Sequence, residues 1–392
     1  MTSRRARAAT AAAFLTQGLV FISLTTRLPD FSDRWDISEL MLSLLLLMMV
    51  LLAGLGSVVA ETLAKRADSA TLLRVGLGLV CVAVPVLTTA PVAAVFVAGL
   101  AVYGVGLGVV DATTNMQAVA LEHDYGRPIL PSFHGFWTLG GIVGAAVTLA
   151  TADAPLQATA VLAVVPFVVL FGPFLRRDHG PTEAAQTVAV PWRPILLVGV
   201  GMVLFYMVDT ATQTWGPLYL DHTFSTPSGL VALATFPYLV ASGVLRLTGD
   251  TLVARYGEVL VLRVGAVVAS AALAVVVFAP TWPVAVLGFT LLGAGVAVIA
   301  PLSFSAAARI AGDEGLEPAV RQARVDAVIA RFNQFNYVGA LLGAVMTGVV
   351  GSGSLRVGFA VPMVLILGIL PLARAFAPPV SAPRTSGVGS AS

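Results

Sequence analysis

The chain has 392 residues, of which 58% are hydrophobic and 11% charged, with a formal net charge of +2 and a mean hydropathy of +0.93. Soluble domains carry about 25% charged residues, so this composition excludes an ordinary water-soluble domain and implies a chain whose main solvent is lipid. The near balance of charge argues against a nucleic-acid partner, and the sole lysine, Lys65, follows Ala64 where a phosphate-binding loop needs glycine, so an ATP-driven pump is not expected.

Taken in chain order, the hydrophobic runs between charge clusters and Pro/Gly breaks predict spanning helices. They lie near 8–28, 38–62, 70–90, 92–119, 131–151, 155–175, 194–220, 228–250, 259–279, 283–309, 325–350 and 355–376. A bilayer core takes about 20 apolar residues per helix, and most of these runs meet that length. The first run follows Arg4, Arg5 and Arg7 and ends in Arg27-Leu28-Pro29-Asp30 with no small-residue cleavage site. It reads as a spanning helix rather than a secretory leader. Placing both termini in the cytoplasm leaves only Arg27, Arg34 and Arg356 among the basic residues outside, as the positive-inside rule requires. The polar stretch from Arg176 to Pro191 divides the chain. Expected units are a six-helix half over 1–175, a cytoplasmic linker over 176–193, a second six-helix half over 194–376 and a tail over 377–392. Cys81 has no partner for a disulfide, and no metal or cofactor is expected.

The two halves are related. A shift of 189 residues superposes Leu73-Arg74-Val75-Gly76 on Leu262-Arg263-Val264-Gly265, Arg66 on Arg255, and Gly104 and Gly106 on Gly293 and Gly295. Beyond a longer connection before the eleventh span the shift becomes 199, which places Phe133 on Phe332, Gly140 on Gly339 and Gly144 on Gly343. Glycines three or four apart let membrane helices approach closely.

Two parallel six-helix repeats with both termini inside resemble the plan of the major facilitator superfamily. Within it, Asp111-Ala-Thr-Thr-Asn115-Met-Gln117, Phe133-His134-Gly135-Phe136-Trp137 and Arg246-Leu-Thr-Gly249-Asp250 resemble a bacterial subgroup of YbjJ type. The resemblance implies an all-α polytopic protein of twelve transmembrane helices in two pseudo-symmetric bundles. It also implies a non-enzymatic secondary carrier in the bacterial cytoplasmic membrane, working as a monomer on a small organic solute, with protons as the expected coupling ion. The family's G-x-x-x-D-R-x-G signature is altered here: Lys65 and Ala254 replace its acid, while Arg66 and Arg255 keep its arginine. An acid stands one helical turn earlier in both halves, at Glu61 and Asp250. With Arg27, Arg66, Arg246 and Arg255 they are candidates for gates or latches; Arg246 and Asp250, at i and i+4, are alternatively a local helix-end pair.

Ionisable groups inside a membrane are costly and point to function. Asp209, near the middle of the seventh span, is the first candidate for proton coupling, followed by Asp111, His134 and Glu122; each is alternatively a carboxylate or imidazole held in a fixed structural pair. Candidate solute contacts are Gln17, Asn115, Gln117, Trp137, Tyr206, Gln213, Trp215, Asn333, Asn336 and Tyr337, any of which is alternatively an interhelical hydrogen bond. Export of a drug-like compound, passive facilitation, and a sensor or scaffold of carrier shape remain open as rivals.

Overall fold

The computed structural model describes residues 2–64, 66–125, 129–175, 192–312, 321, 324–325, 328, 332 and 334–377. Residues 176–191 of the expected linker (176–193), most of the tail (378–392) and Asn333 lie outside the described residues, as do the side chains of Glu122 and Asp250; Trp192 and Arg193 of that linker already belong to a helix.

The described chain is helical. Its main helices are α1 (Thr2–Thr26), α2 (Glu39–Leu63), α3 (Ser69–Thr89), α4 (Ala93–Tyr125), α5 (Leu130–Ala150), α6 (Leu156–Leu170), α7 (Trp192–Phe224), α8 (Phe236–Tyr256), α9 (Glu258–Val277), α10 (Trp282–Ala311), α11 (Gln334–Val350) and α12 (Leu355–Phe376). Among the described residues, ten helical segments are long and apolar enough to cross a membrane, whereas α6 and the described part of α11 are shorter apolar helices. Of the twelve spans expected, ten are full-length among the described residues. The span expected over 155–175 opens as 3₁₀ helix, Leu156–Ala163, before turning α-helical, and the one expected over 325–350 is described as a continuous helix only from Gln334.

Local chemistry sets several boundaries. The Ser38 hydroxyl accepts from the Met41 amide at the start of α2, and the Asp68 carboxylate accepts from the Ala70 amide at the start of α3, each satisfying one of the free amides of a helix N-terminus. The α8–α9 junction turns at Gly257, with φ of 78°, a conformation that glycine adopts without steric penalty.

The duplication is visible in the packing. In the first six helices α1 packs on α5, and α4 packs on both α2 and α3; in the last six α7 packs on α11, and α10 on both α8 and α9. Close approaches repeat with the same 189-residue shift on both partners. A Cβ on Gly104 would lie 2.7 Å from the Met49 carbonyl oxygen, and one on Gly293 would lie 2.1 Å from that of Tyr238. Likewise Gly106 faces the amide of Val80, and Gly295 faces that of Ala269. Without a hydrophobic driving force between helices in lipid, such backbone-to-backbone contact supplies the dispersion energy that holds them together. The repeated Leu-Arg-Val-Gly segment has a matching role: Arg74 donates to the Gly172 carbonyl after α6 at 3.1 Å, and Arg263 to the Leu370 carbonyl in α12 at 3.2 Å.

The two six-helix sets meet chiefly through α2 with α11 and α5 with α8, themselves equivalent pairs, and through α1 with α7. Successive connections alternate between two ends of the bundle. One end carries Arg66 and Arg255 and is called the arginine-rich end; the opposite end carries Arg27, Arg34 and Arg356.

Candidate functional site

Between the two sets lies a cavity of about 150 Å³, walled by α1, α2, α4 and α5 on one side and α7, α8 and α11 on the other. Its polar lining comes from short helical stripes. Tyr206, Asp209 and Gln213, at i, i+3 and i+7 on α7, face it together, as do Ser242 and Arg246 at i and i+4 on α8. Those spacings put side chains on one face of a helix.

Asp209 is 9% exposed and accepts a hydrogen bond from the Tyr238 hydroxyl at 2.5 Å. Tyr238 stands two turns before Arg246 on the same α8 face, so that stripe positions both the phenol and the guanidinium. Asp111, on α4, accepts from Gln17 of α1 at 3.3 Å and from the Tyr337 hydroxyl of α11 at 2.5 Å. A buried carboxylate needs such donors, because an ion in a low-dielectric interior is unstable unless paired or hydrogen-bonded. Arg246 donates through Nε to the Ala297 carbonyl at 3.2 Å and through Nη1 to Thr138 Oγ1 on α5 at 3.1 Å, with its guanidinium carbon 5.9 Å from the centre of the Phe205 ring. His134 lines the same space, its ring 5.4 Å from that of Phe14 and 6.1 Å from that of Phe304.

Of the residues singled out in the sequence, the structure gathers Gln17, Asp111, His134, Trp137, Tyr206, Asp209, Gln213, Asn336 and Tyr337 in the wall of this one cavity. Arg246 joins them, so a residue expected in a latch also lines the cavity that holds the two carboxylates. The reason is that α8 runs on to Tyr256, which leaves Arg246 more than two turns inside the helix.

Three expected cavity residues lie elsewhere. Gln117 is wholly buried and donates to Ser69 Oγ and the Leu175 carbonyl, both at 2.8 Å, while its Oε1 accepts from the Leu175 amide at 2.9 Å. It fastens the end of the first six-helix set, with both amide hydrogens used, and is not in the cavity wall. Asn115 is turned onto its own helix, donating to the Asp111 backbone carbonyl at 2.9 Å. Trp215 is fully buried and donates to the Ala344 carbonyl at 2.8 Å; it packs where α11 offers Gly348 in place of a side chain.

The gate candidates also separate. Glu61 accepts from Gln334 of α11 at 3.3 Å across the two sets, at the arginine-rich end. Arg66 and Arg255 are exposed there, Arg255 lying over the ring of Tyr256. Arg27 is 6% exposed and clamped within its own set: it pairs with Asp30 at 2.9 Å and donates to the carbonyls of Thr151, Ala152 and Ala154. This accounts for its charge without a gating partner. At the opposite end His222 Nδ1 of α7 lies 3.3 Å from Glu39 Oε1 of α2, a further bridge between the sets.

Tyr238 and Thr138 were not singled out by sequence reasoning. The signal available for Tyr238 was its spacing with Ser242 and Arg246, a polar stripe of period four on an otherwise apolar helix. For Thr138 it was equivalence with Tyr337 under the 199-residue shift.

Comparison with known proteins agrees with this arrangement. The sequence profile of the Major Facilitator Superfamily matches residues 198–391. The uncharacterized transporter y4wD of Sinorhizobium fredii is 29% identical over 309 residues, 76% of this chain and 81% of that protein. An uncharacterized MFS-type transporter of Yersinia pestis, YPO1221/y2967, is 26% identical over 374 residues, 93% of this chain and 94% of that protein. Among solved structures, the D323A mutant of the nucleoside transporter NupG superposes with a TM-score of 0.67 at 14% identity, covering 96% of this chain and 99% of that one. FucP, a major facilitator transporter in its outward conformation, gives a TM-score of 0.61 at 17% identity, covering 95% and 98%. In fold along its length, and in sequence over residues 198–391, the chain is similar to multi-pass membrane transporters of the major facilitator type.

Proposed function

We propose that the protein is a secondary active carrier that moves a small organic solute across a bacterial cytoplasmic membrane by alternating access, driven by protons. In this reading its halves are 1–175 and 194–376, both termini are cytoplasmic, it works as a monomer, and it falls within the YbjJ-type subgroup. The single observation that carries it is the placement of Asp111, Asp209 and Arg246 in one cavity walled by both helix sets. A scaffold gains nothing from carboxylates held in lipid at a cost of several kcal/mol, whereas a carrier needs charges whose pairing changes between its two states. The bridges from Tyr337 to Asp111, Arg246 to Thr138 and Gln334 to Glu61 all cross between the sets, so each must part when the sets rock. Asp209 is the proton-coupling group of this scheme and Asp111 its inter-half counterpart.

Cavity size favours a metabolite over a bulky drug, because a space of about 150 Å³ accommodates roughly one six-membered ring. The solved neighbours are described as nucleoside and fucose transporters, and ring-sized polar solutes are the class to test first. Purified protein in liposomes, assayed with such solutes with and without a pH gradient, is the decisive experiment. Gradient-driven accumulation that is abolished in Asp209→Asn is expected. Gradient-independent flux would replace the proton-driven carrier with a facilitator, and absence of flux for every solute would leave a scaffold.

A further inference from the structure

We infer that the solute taken by this cavity is a small organic cation, a ring-sized molecule bearing a protonated amine and at least one acceptor oxygen, with the ammonium seated on Asp209. The inference rests on the carrier reading above and adds the chemistry of the cargo.

Charge comes first. The cavity is lined by two carboxylates, Asp111 and Asp209, and one guanidinium, Arg246, a formal charge of −1 with His134 neutral. At this depth water does not screen the excess, so an anionic solute meets net repulsion and a monocation completes the balance. The Arg246 charge is already included in that balance, and two of its five N–H donors are taken by the Ala297 carbonyl and Thr138.

Hydrogen-bonding capacity then distinguishes the two acids. Asp111 has donors on both oxygens, Gln17 on Oδ1 and Tyr337 on Oδ2. Asp209 takes Tyr238 on Oδ1 and has the Gln213 amide beside it, and it lines the cavity as the carboxylate without a phenol from the opposite helix set. Among the described residues, two further polar atoms in the wall are buried without a partner at hydrogen-bonding distance and angle: Gln17 Oε1, an acceptor, and Gln213 Nε2, a donor beside Asp209, on a side chain only 1% exposed. Buried polar atoms left unpaired are unfavourable and are satisfied when a ligand arrives. Gln17 therefore calls for a donor on the solute, as Asp209 does, and Gln213 for an acceptor oxygen. Trp137 and Tyr206 in the same wall offer aromatic faces of the kind that attract ammonium groups.

The test compares matched probes of one ring: glucosamine, glucose and glucuronate, then benzylamine, benzyl alcohol and benzoate. Binding to the full-length protein in lipid nanodiscs is measured by calorimetry and by thermal stabilisation. At least one amine is expected to bind 10-fold or more tightly than its neutral and anionic counterparts. Asp209→Asn should abolish that preference, whereas Asp30→Asn, at the opposite end, should keep it. Equal or tighter binding of the neutral or anionic probes by the wild-type protein overturns the proposal, as does failure of both amines to bind; neither result depends on a variant folding. Proteoliposome flux separates the two readings. Gradient-driven uptake of fucose or uridine with no amine binding would overturn the cationic cargo and leave the carrier intact. Amine binding without flux of any solute would do the reverse.

Discussion

The Tyr337 hydroxyl on α11 donates to Asp111 Oδ2 on α4 at 2.5 Å, so a carboxylate of the first six helices is held by a phenol of the last six. A hydrogen bond to a charged group is worth about 1.5–3 kcal/mol, enough to change the ratio of two conformers by more than 10-fold. Tyr337→Phe should therefore shift the protein toward the state in which α4 and α11 are apart. Spin labels on the exposed ends of α2 and α11 would report the change as a longer distance population; an unchanged distribution would show that this bond does not bias the equilibrium.

Arg246 reaches the Ala297 carbonyl and Thr138 by two different nitrogens of a planar group. Lysine carries the same charge but cannot reproduce that fork. Transport by Arg246→Lys is expected to fall at least 10-fold, with the protein still folded by gel filtration. Near wild-type flux would mean that charge alone is sufficient at this position.

Glycine substitutions should be graded by space. A Cβ at Gly108 would sit 1.8 Å from the Ala53 carbonyl oxygen, a contact that no side chain can relieve, whereas one at Gly54 meets nothing within 4 Å. Gly108→Ala should cost about 1–3 kcal/mol as overpacking and lower the melting temperature in detergent by several degrees, while Gly54→Ala leaves it unchanged or raises it slightly through helix propensity.

Gln117 makes three hydrogen bonds that tie α4 to Ser69 and Leu175. Gln117→Leu leaves the Leu175 amide and carbonyl short of partners, for an expected loss of about 1–3 kcal/mol of stability. Solute affinity should be unchanged in the fraction that folds. A change in affinity without a change in melting temperature would return Gln117 to the cavity.

Tyr238→Phe removes the phenol that holds Asp209 Oδ1. A hydrogen bond to a charged group is worth about 1.5–3 kcal/mol, and without it the carboxylate loses a donor that fixes its orientation. Gradient-driven flux should fall 10-fold or more in this variant, read at one fixed pair of internal and external pH values. Wild-type flux would show that the phenol does not position Asp209 for transport.

How much was legible beforehand can be judged from pairs of residues. Gly104 and Gly293 were recognisable as equivalents because duplication preserves spacing, and the packing partners Met49 and Tyr238 obey the same shift. Asp209 stood out because a carboxylate in an apolar run is rare. By contrast Gln17 and Gln117 look alike in sequence, each a lone amide in a hydrophobic helix, yet one lines the cavity and the other is consumed by Ser69 and Leu175.

Hydropathy, the positions of the arginines and the 189-residue repeat, by themselves, determined a duplicated bundle of membrane helices, since these depend only on composition and order along the chain. The tertiary structure alone decided which polar side chains meet. Helices that are apolar on nearly every face carry little periodic signal of their rotation, and the pairing of Tyr337 with Asp111 or Arg246 with Thr138 depends on how two six-helix sets dock, which no local pattern records.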